Sequence, residues 1–240
     1  KRSHNLTKDT LGATLLRADK LSRFHPAVAR RLVRRAIAET KGNMRSIDLI
    51  HVERIMQLAA QKDGRGRTQI PGLDIFRSFE WLRVAAPSTE LAQAQDYSLA
   101  LALQPGIAKT VDIPGTVVTI SLKIQESVRD RGLSAYNEVV DDLDWNKLSV
   151  PLELRNWHPG DELQPAGRSK VKIKRLFQER RVPIWERETW PVLARGSEIV
   201  WALLFGPSEL YRPVETTQCV LRIRTLGVFY PESHESKIPN

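Results

Sequence analysis

From His25 to Glu39 the apolar residues Ala29, Leu32, Val33, Ala36 and Ile37 recur at steps of three and four, which predicts a helix with one buried stripe. Gly42 marks its expected end, because glycine accepts the left-handed conformation that closes many helices. On the opposite side Arg30 with Arg34, and Arg31 with Arg35, stand one turn apart as like-charge pairs. Such pairs weaken an isolated helix slightly, and an anionic partner would relieve the repulsion. Ser46 reads as the N-cap of a second helix through Leu49, Val52, Ile55, Met56 and Ala59, broken by Lys62-Asp63-Gly64-Arg65-Gly66. An earlier helix is expected over Thr10 to Arg23.

Beyond these helices the period changes to two. Ile70-Pro71-Gly72-Leu73 reads as turn punctuation, and Ile75 and Phe76 with Trp81, Leu82 and Val84 as a small hairpin. Three alternating runs predict half-buried strands of one sheet: Tyr97, Leu99, Leu101 and Leu103; Val118, Ile120, Leu122 and Ile124; and Val150, Leu152 and Leu154. Val192 and Leu193, the turn Arg195-Gly196-Ser197, then Ile199, Val200 and Trp201 predict a hairpin, and Thr217, Cys219, Leu221 and Ile223 a final strand. The expected architecture is α+β. It has a helical domain with a small hairpin over residues 1–86, a polar connector over 87–96, a mixed α+β domain with a mainly antiparallel sheet over 97–230, and a loose tail over 231–240.

Composition narrows the function. With 240 residues, 41% of them hydrophobic, the chain is long enough for two modest cores. No apolar run approaches the roughly 20 residues that span a bilayer, so no membrane role is expected. The single cysteine, Cys219, offers no internal disulfide and no thiolate metal site; it reads as a small buried hydrophobe in a cytoplasmic protein. The chain opens on Lys1 and its first methionine is Met44, inside expected structure, which reads as a piece of a longer protein. The net charge of +9 sits in two islands: residues 1–45 hold 12 Lys and Arg against 3 Asp and Glu, and residues 167–181 hold 7 against 1. Localised positive charge of this kind points to a polyanion, although a solvated amphipathic helix carries similar runs. Arg222 and Arg224, by contrast, fall in a nearly neutral segment.

The most informative stretch runs Arg155-Asn156-Trp157-His158-Pro159-Gly160-Asp161, then Gln164-Pro165-Ala166-Gly167, Lys170 to Phe177, Val182-Pro183, Trp190-Pro191 and Ile199-Val200-Trp201. In order and spacing it resembles the C-terminal domain of tRNA(Ile)-lysidine synthetases over roughly residues 150–224. The helices from His25 to Ala60, followed by Ile70-Pro71-Gly72 and Arg77-Ser78-Phe79-Glu80, are similar to that family's middle domain. Glu162 stands where the family often carries a basic residue. The resemblance implies a parent enzyme, an ATP-dependent ligase that adenylates the wobble cytidine of isoleucine tRNA and joins lysine to it. It further implies that the helical domain lies toward the anticodon arm and the α+β domain toward the acceptor side. No Ser-Gly-Gly-x-Asp-Ser loop and no Walker-type P-loop occurs in this sequence. ATP with magnesium is therefore expected on the parent's own N-terminal catalytic domain, and this chain is expected to hold no cofactor, no metal and no catalytic residue.

Gly160, Pro165 and Gly167 should shape a rigid loop in which Asp161 accepts from backbone amides, with Pro183 as a helix stop. A helix opening at Ser169 or Lys170 should turn Ile173, Leu176 and Phe177 inward. The expected tRNA contacts are Arg155, Trp157, His158, Arg168, Lys170, Lys172, Lys174, Arg175, Arg180 and Arg181, together with Arg30, Arg31, Arg34 and Arg35. Lysine and arginine supply affinity and salt dependence more than base choice. Asp141, Asp142 and Asp144 read as a solvated turn. Two rival functions remain on this reading: a free-standing RNA-binding module without catalysis, and a small hydrolase built on His158 and Asp161.

Overall fold

A computed structural model describes residues 6–9, 12–87, 96–127, 138–148 and 151–227. Residues 88–95 of the expected connector, the expected tail and Val150 of the third strand lie outside them. The chain divides into two compact units, residues 1–93 and 94–240.

The first unit is an antiparallel sheet carrying two long helices and one four-residue helix. Its elements are β1 (Leu6–Lys8), β2 (Thr14–Arg17), α1 (Ala18–Leu21), α2 (Pro26–Lys41), α3 (Leu49–Ala60), β3 (Arg65–Ile70), β4 (Leu73–Ser78) and β5 (Trp81–Ala85), with strand order β1-β2-β5-β4-β3. Helix α2 starts where Pro26 follows the N-cap His25, whose Nδ1 accepts from Ala27 N at 3.3 Å, and ends at Gly42 (φ 81°). Its stripe Ala29, Val33, Ala36 and Ile37 packs with Val52, Ile55 and Leu58 of α3 and with Ile75, Leu82 and Val84 of the sheet. The β3–β4 hairpin closes on Pro71 and Gly72 (φ 77°), as the punctuation predicts.

Three expectations for this unit are corrected. The helix read over Thr10 to Arg23, whose Thr10 and Leu11 lie outside the described residues, gives way from Thr14 to strand β2 followed by the four-residue α1, because Thr14–Arg17 pairs with β5. Ser46 is not the cap of α3: it sits at φ 60°, and Asp48 occupies the N-cap, its N–H donating to His51 Nδ1 at 3.0 Å. The small hairpin is part of a five-stranded sheet, so this unit is itself α+β. A buried ion pair ties its ends: Asp9 accepts from Arg83 Nε at 2.5 Å and from Ala13 N at 2.7 Å.

The second unit packs two antiparallel sheets over a common core. The first consists of β6 (Ser98–Leu101), β10 (Leu152–Asn156), β13 (Pro191–Arg195), β14 (Glu198–Ala202) and β15 (Gly206–Pro207), ordered β15-β14-β13-β10-β6. The second consists of β7 (Ala108–Asp112), β8 (Thr119–Glu126), β9 (Glu138–Asp144) and β16 (Cys219–Leu226), ordered β7-β8-β16-β9. Between β10 and β13 the chain runs through β11 (Glu162–Leu163), β12 (Val171–Lys172), α4 (Ile173–Glu179) and α5 (Ile184–Arg187). Ile120, Leu122, Ile124, Leu221 and Ile223 from one sheet meet Leu152, Leu154, Leu193, Val200 and Trp201 from the other in one hydrophobic cluster.

The single sheet expected here is therefore two, since alternation reveals a strand but not its neighbour. The acidic run is also corrected. Asp141 and Asp142 lie within β9 and Asp144 ends it, each with a partner across the fold: Trp201 Nε1 donates to Asp141 at 2.8 Å, Arg222 to Asp142 through two bonds of 2.8 Å, and Thr217 Oγ1 to Asp144 at 2.8 Å. Cys219 is half-buried against the core. Among the described residues no helix is long and apolar enough to cross a membrane.

Gly227 follows β16 at φ 76°, and a methyl group there would stand 2.2 Å from the Val117 carbonyl oxygen. Two backbones cannot both yield, so Gly227→Ala should cost about 1–3 kcal/mol in urea denaturation. Gly196→Ala, in a turn at φ 59° with nothing within 4 Å, carries only the left-handed penalty of roughly 1 kcal/mol. Equal losses would show that the approach at Gly227 relaxes freely.

Candidate nucleic-acid interface

The loop between β10 and α4 is held by one ion pair. Arg155 projects from β10 and donates to both carboxylate oxygens of Asp161, at 2.8 and 2.9 Å, and to the Asn156 carbonyl at 2.7 Å. Asp161 also accepts from the backbone N–H of His158 at 2.7 Å across the Pro159-Gly160 turn, where Gly160 adopts φ 106°. Its main-chain carbonyl accepts from Ile173 N, the first residue of α4, at 2.9 Å. One aspartate thus joins a core strand, a turn and a helix start. Burial alone would raise its carboxyl pKa, but the bonds from Arg155 and His158 N and the neighbouring positive charge prevail and hold it below the ordinary carboxylate value. The same pairing raises Arg155.

The rest of the loop is pinned further along. Glu162 and Leu163 pair with Lys172 and Val171, so the chain between them forms a lobe that turns at Gly167 (φ 64°). Gly167 N donates to Glu209 at 3.0 Å, and Glu209 N to the Gln164 carbonyl at 2.8 Å. Pro183 is buried as the N-cap of α5. The Val182 carbonyl beside it accepts from Arg187 at 3.0 and 2.7 Å.

On this frame α4 buries Ile173, Leu176 and Phe177, as its periodicity predicts. Phe177 meets Trp157 and Trp190 edge to face, with centroids at 5.0 and 5.3 Å. Outward lie Arg168, Lys170, Lys172, Lys174, Arg175, Arg180 and Arg181, all exposed. Glu179 holds two of them, Arg168 at 2.8 and 3.1 Å and Arg175 at 3.0 Å, and these bonds keep its pKa low. Lys170 leans toward Glu162 at 3.8 Å, while Lys172, Lys174 and Arg180 have no carboxylate within an ion-pair distance among the described residues. The face remains positive, and its exposed ion pairs are weak enough, about 0–1 kcal/mol each, to exchange for phosphate oxygens.

The geometry reassigns two expected contacts and one boundary. Arg155 is buried and held by Asp161 and the Asn156 carbonyl, so it shapes the loop and presents little surface to RNA. Trp157 is half-buried, with Nε1 donating to the Arg187 carbonyl at 2.5 Å and its ring packed against Phe177, which makes it part of the loop's packing more than of an open surface. His158 remains exposed, its Nε2 4.0 Å from Asp96. Because the bond from His158 to Asp161 comes from its backbone N–H, the pair does not form an imidazole–carboxylate couple of the kind a hydrolase would need. Helix α4 begins at Ile173 and not at Ser169 or Lys170, since Val171 and Lys172 are taken by strand pairing. Gly160, Asp161, Pro165 and Gly167 lie in the loop between β10 and α4, and Pro183 lies just beyond α4.

In the first unit Arg30, Arg31, Arg34 and Arg35 all lie on the exposed side of α2. Arg30 pairs with Glu53 at 2.5 Å and Arg35 with Glu39 at 2.7 Å. Glu179 and Glu209 are residues that sequence reading passed over. The four-residue step from Arg175 to Glu179 was a usable signal, whereas nothing local marks Glu209.

Asp161→Asn should destabilise the chain by about 3 kcal/mol at neutral pH by leaving Arg155 buried without its counter-charge. Because the folded-state pKa of Asp161 is depressed, its contribution is present above the unfolded value of about 3.9 and fades as pH falls through the lower folded value. Denaturation of both proteins from pH 7 to 2 isolates this contribution as their difference, which should shrink on acidification. A constant difference would remove Asp161 as the keystone.

The TilS substrate binding domain family matches residues 16–83, and the TilS substrate C-terminal domain family matches residues 152–223. A tRNA(Ile)-lysidine synthase of Solibacter usitatus (strain Ellin6076) is 46% identical over 215 residues, 88% of this chain and 47% of that protein. Those of Dehalococcoides mccartyi (strain CBDB1) and Geobacter sulfurreducens are 29% identical over 220 residues and 27% over 221, covering 87% and 90% of this chain and 44% of each relative. The chain spans about half the length of the curated relatives it matches. A crystal structure of a TilS C-terminal domain aligns over 57% of this chain and 100% of its own length, at a TM-score of 0.45 and 18% identity. With both domain families matched in this order, the chain belongs to the TilS family and carries its substrate binding domain followed by its C-terminal domain.

Proposed function

We propose that the chain is the tRNA-recognition region of a tRNA(Ile)-lysidine synthetase acting in the cytoplasm, and that α4 with its preceding loop is a main contact to the tRNA backbone. The observation that carries this reading is the row of exposed cations Lys172, Lys174 and Arg180, held on the Arg155–Asp161 frame within the matched C-terminal domain. Lysine and arginine on a rigid support neutralise phosphates and fix register without reading bases. Arg31 and Arg34 of α2 offer a second exposed pair in the substrate binding domain. Choice of isoleucine tRNA then rests on the shape over which these charges register, together with the parent's own catalytic domain.

The reacting groups are assigned to that catalytic domain. No phosphate-cradling glycine loop of the ATP-pyrophosphatase kind occurs in this sequence. ATP with magnesium, which would activate the wobble cytidine for attack by lysine, accordingly belongs to the rest of the parent enzyme. The residues described here bind and orient the tRNA.

The chain should bind isoleucine tRNA without ATP, and affinity should fall steeply with salt because several phosphates are neutralised together. Lys172→Glu with Lys174→Glu should weaken binding at least about tenfold and make the logarithmic salt slope shallower by roughly 2. The melting temperature should barely move, since Ile173, Leu176 and Phe177 are kept. Mixed with ATP, lysine and tRNA, the chain alone should form no lysidine. A flat salt response in a filter-binding titration, or a folded double variant that binds as tightly as the wild type, would overturn the assignment.

A further inference from the structure

On the outer face of the β7-β8-β16-β9 sheet the strands bring together residues from well-separated segments of the sequence. Lys123 of β8 stands directly opposite Ala108 of β7 on one side and Arg222 of β16 on the other. Ser121 stands in the same way opposite Arg224, one step along the same face. The small Ala108 beside the long Lys123 helps leave a hollow of about 330 Å³ lined by Ala108, Ser121, Lys123, Gln125, Arg222 and Arg224. The lining holds three cations, two neutral hydrogen-bonding side chains and no carboxylate.

A sheet does not place like charges opposite one another without cost. Here Lys123 and Arg222 face each other, and only Arg222 is compensated, by its two bonds of 2.8 Å to Asp142 on β9. Those bonds use Nε and one terminal nitrogen, which fixes the guanidinium while leaving further N–H groups to donate. Arg224 is more than half exposed and its contact with Glu138 is long, at 3.6 Å. Lys123 has no carboxylate within an ion-pair distance among the described residues. The hollow therefore sets an oriented cation, Arg222, beside the exposed Lys123 and Arg224, with Ser121 and Gln125 on either side of Lys123 along β8. An anion with several oxygens matches the chemistry of this set of donors.

We propose that this hollow is a second backbone-binding site, taking one or two adjacent phosphodiester groups of an RNA strand, built on a different element from α4. The assignment rests on the reading of the chain as a tRNA-recognition region, which supplies the RNA. It makes Lys123 and Arg224 phosphate ligands and Arg222 a residue that both closes the sheet and contributes to the site.

The test uses the full chain with Lys123→Glu and Arg224→Glu together, leaving Arg222 and its ion pair in place. Filter binding of isoleucine tRNA across a salt series should show affinity at least tenfold weaker and a logarithmic salt slope shallower by roughly 2. Combined with the Lys172 and Lys174 reversals, the two losses should multiply, because separated sites act independently. If thermal melting shows that the glutamate pair unfolds, Lys123→Gln with Arg224→Gln is decisive instead, with the same slope change and a smaller loss of affinity. A folded groove variant with wild-type affinity and slope, beside an α4 variant that is weakened, overturns this site and leaves the tRNA reading standing. Absence of tRNA binding by the wild-type chain overturns both.

Discussion

The bond pair between Arg155 and Asp161 is the constraint on which the second unit's surface depends. A guanidinium on a core strand is acceptable only when a carboxylate answers it in the right plane, and two parallel bonds at 2.8 and 2.9 Å do so. Asp161 is brought there by a tight turn, and the strength of the pair makes that turn obligatory. The same residue's carbonyl receives the first amide of α4. Release of the carboxylate would therefore loosen the turn and the helix together, and the exposed lysines would lose their common orientation while each kept its charge.

The elements that could be read from the sequence are those whose reasons are local. Helix α2 carries an uninterrupted apolar stripe and ends at a glycine with φ 81°, and both signals lie within a few residues of the structure they cause. Strand β2 was misread because Leu15, Leu16, Ala18 and Leu21 suit a helical stripe equally well. What makes Thr14–Arg17 extended is pairing with Trp81–Ala85, a partner that no local window contains. The aspartates of β9 misled for a related reason. Acidic residues disfavour strands on average, yet Trp201, Arg222 and Thr217 arrive from elsewhere to meet each of them.

The site divides along the same line. Gly160, Asp161 and Gly167 were legible as loop-formers because turn chemistry is short-range. Arg155 was visible as part of the cluster, but its charge alone suggested a phosphate ligand. Only its burial against Asp161 shows that the charge is already spoken for. The hollow on the second sheet was not legible at all: Arg222 and Arg224 sit in a nearly neutral stretch, and their meeting with Lys123 is a property of strand order.

Glu179, gripped by both Arg168 and Arg175, gives α4 a resident counter-ion. Any phosphate that approaches those arginines must compete with a carboxylate already tethered at high local concentration, so a lone phosphate or a nucleotide gains little by displacing it. A long polyanion that engages Lys172, Lys174 and Arg180 in the same encounter faces no such rival at those positions and can then draw the arginines away from Glu179. On the proposed reading, the carboxylate would tilt this row of positive charges modestly toward an extended polyanion over a single small anion.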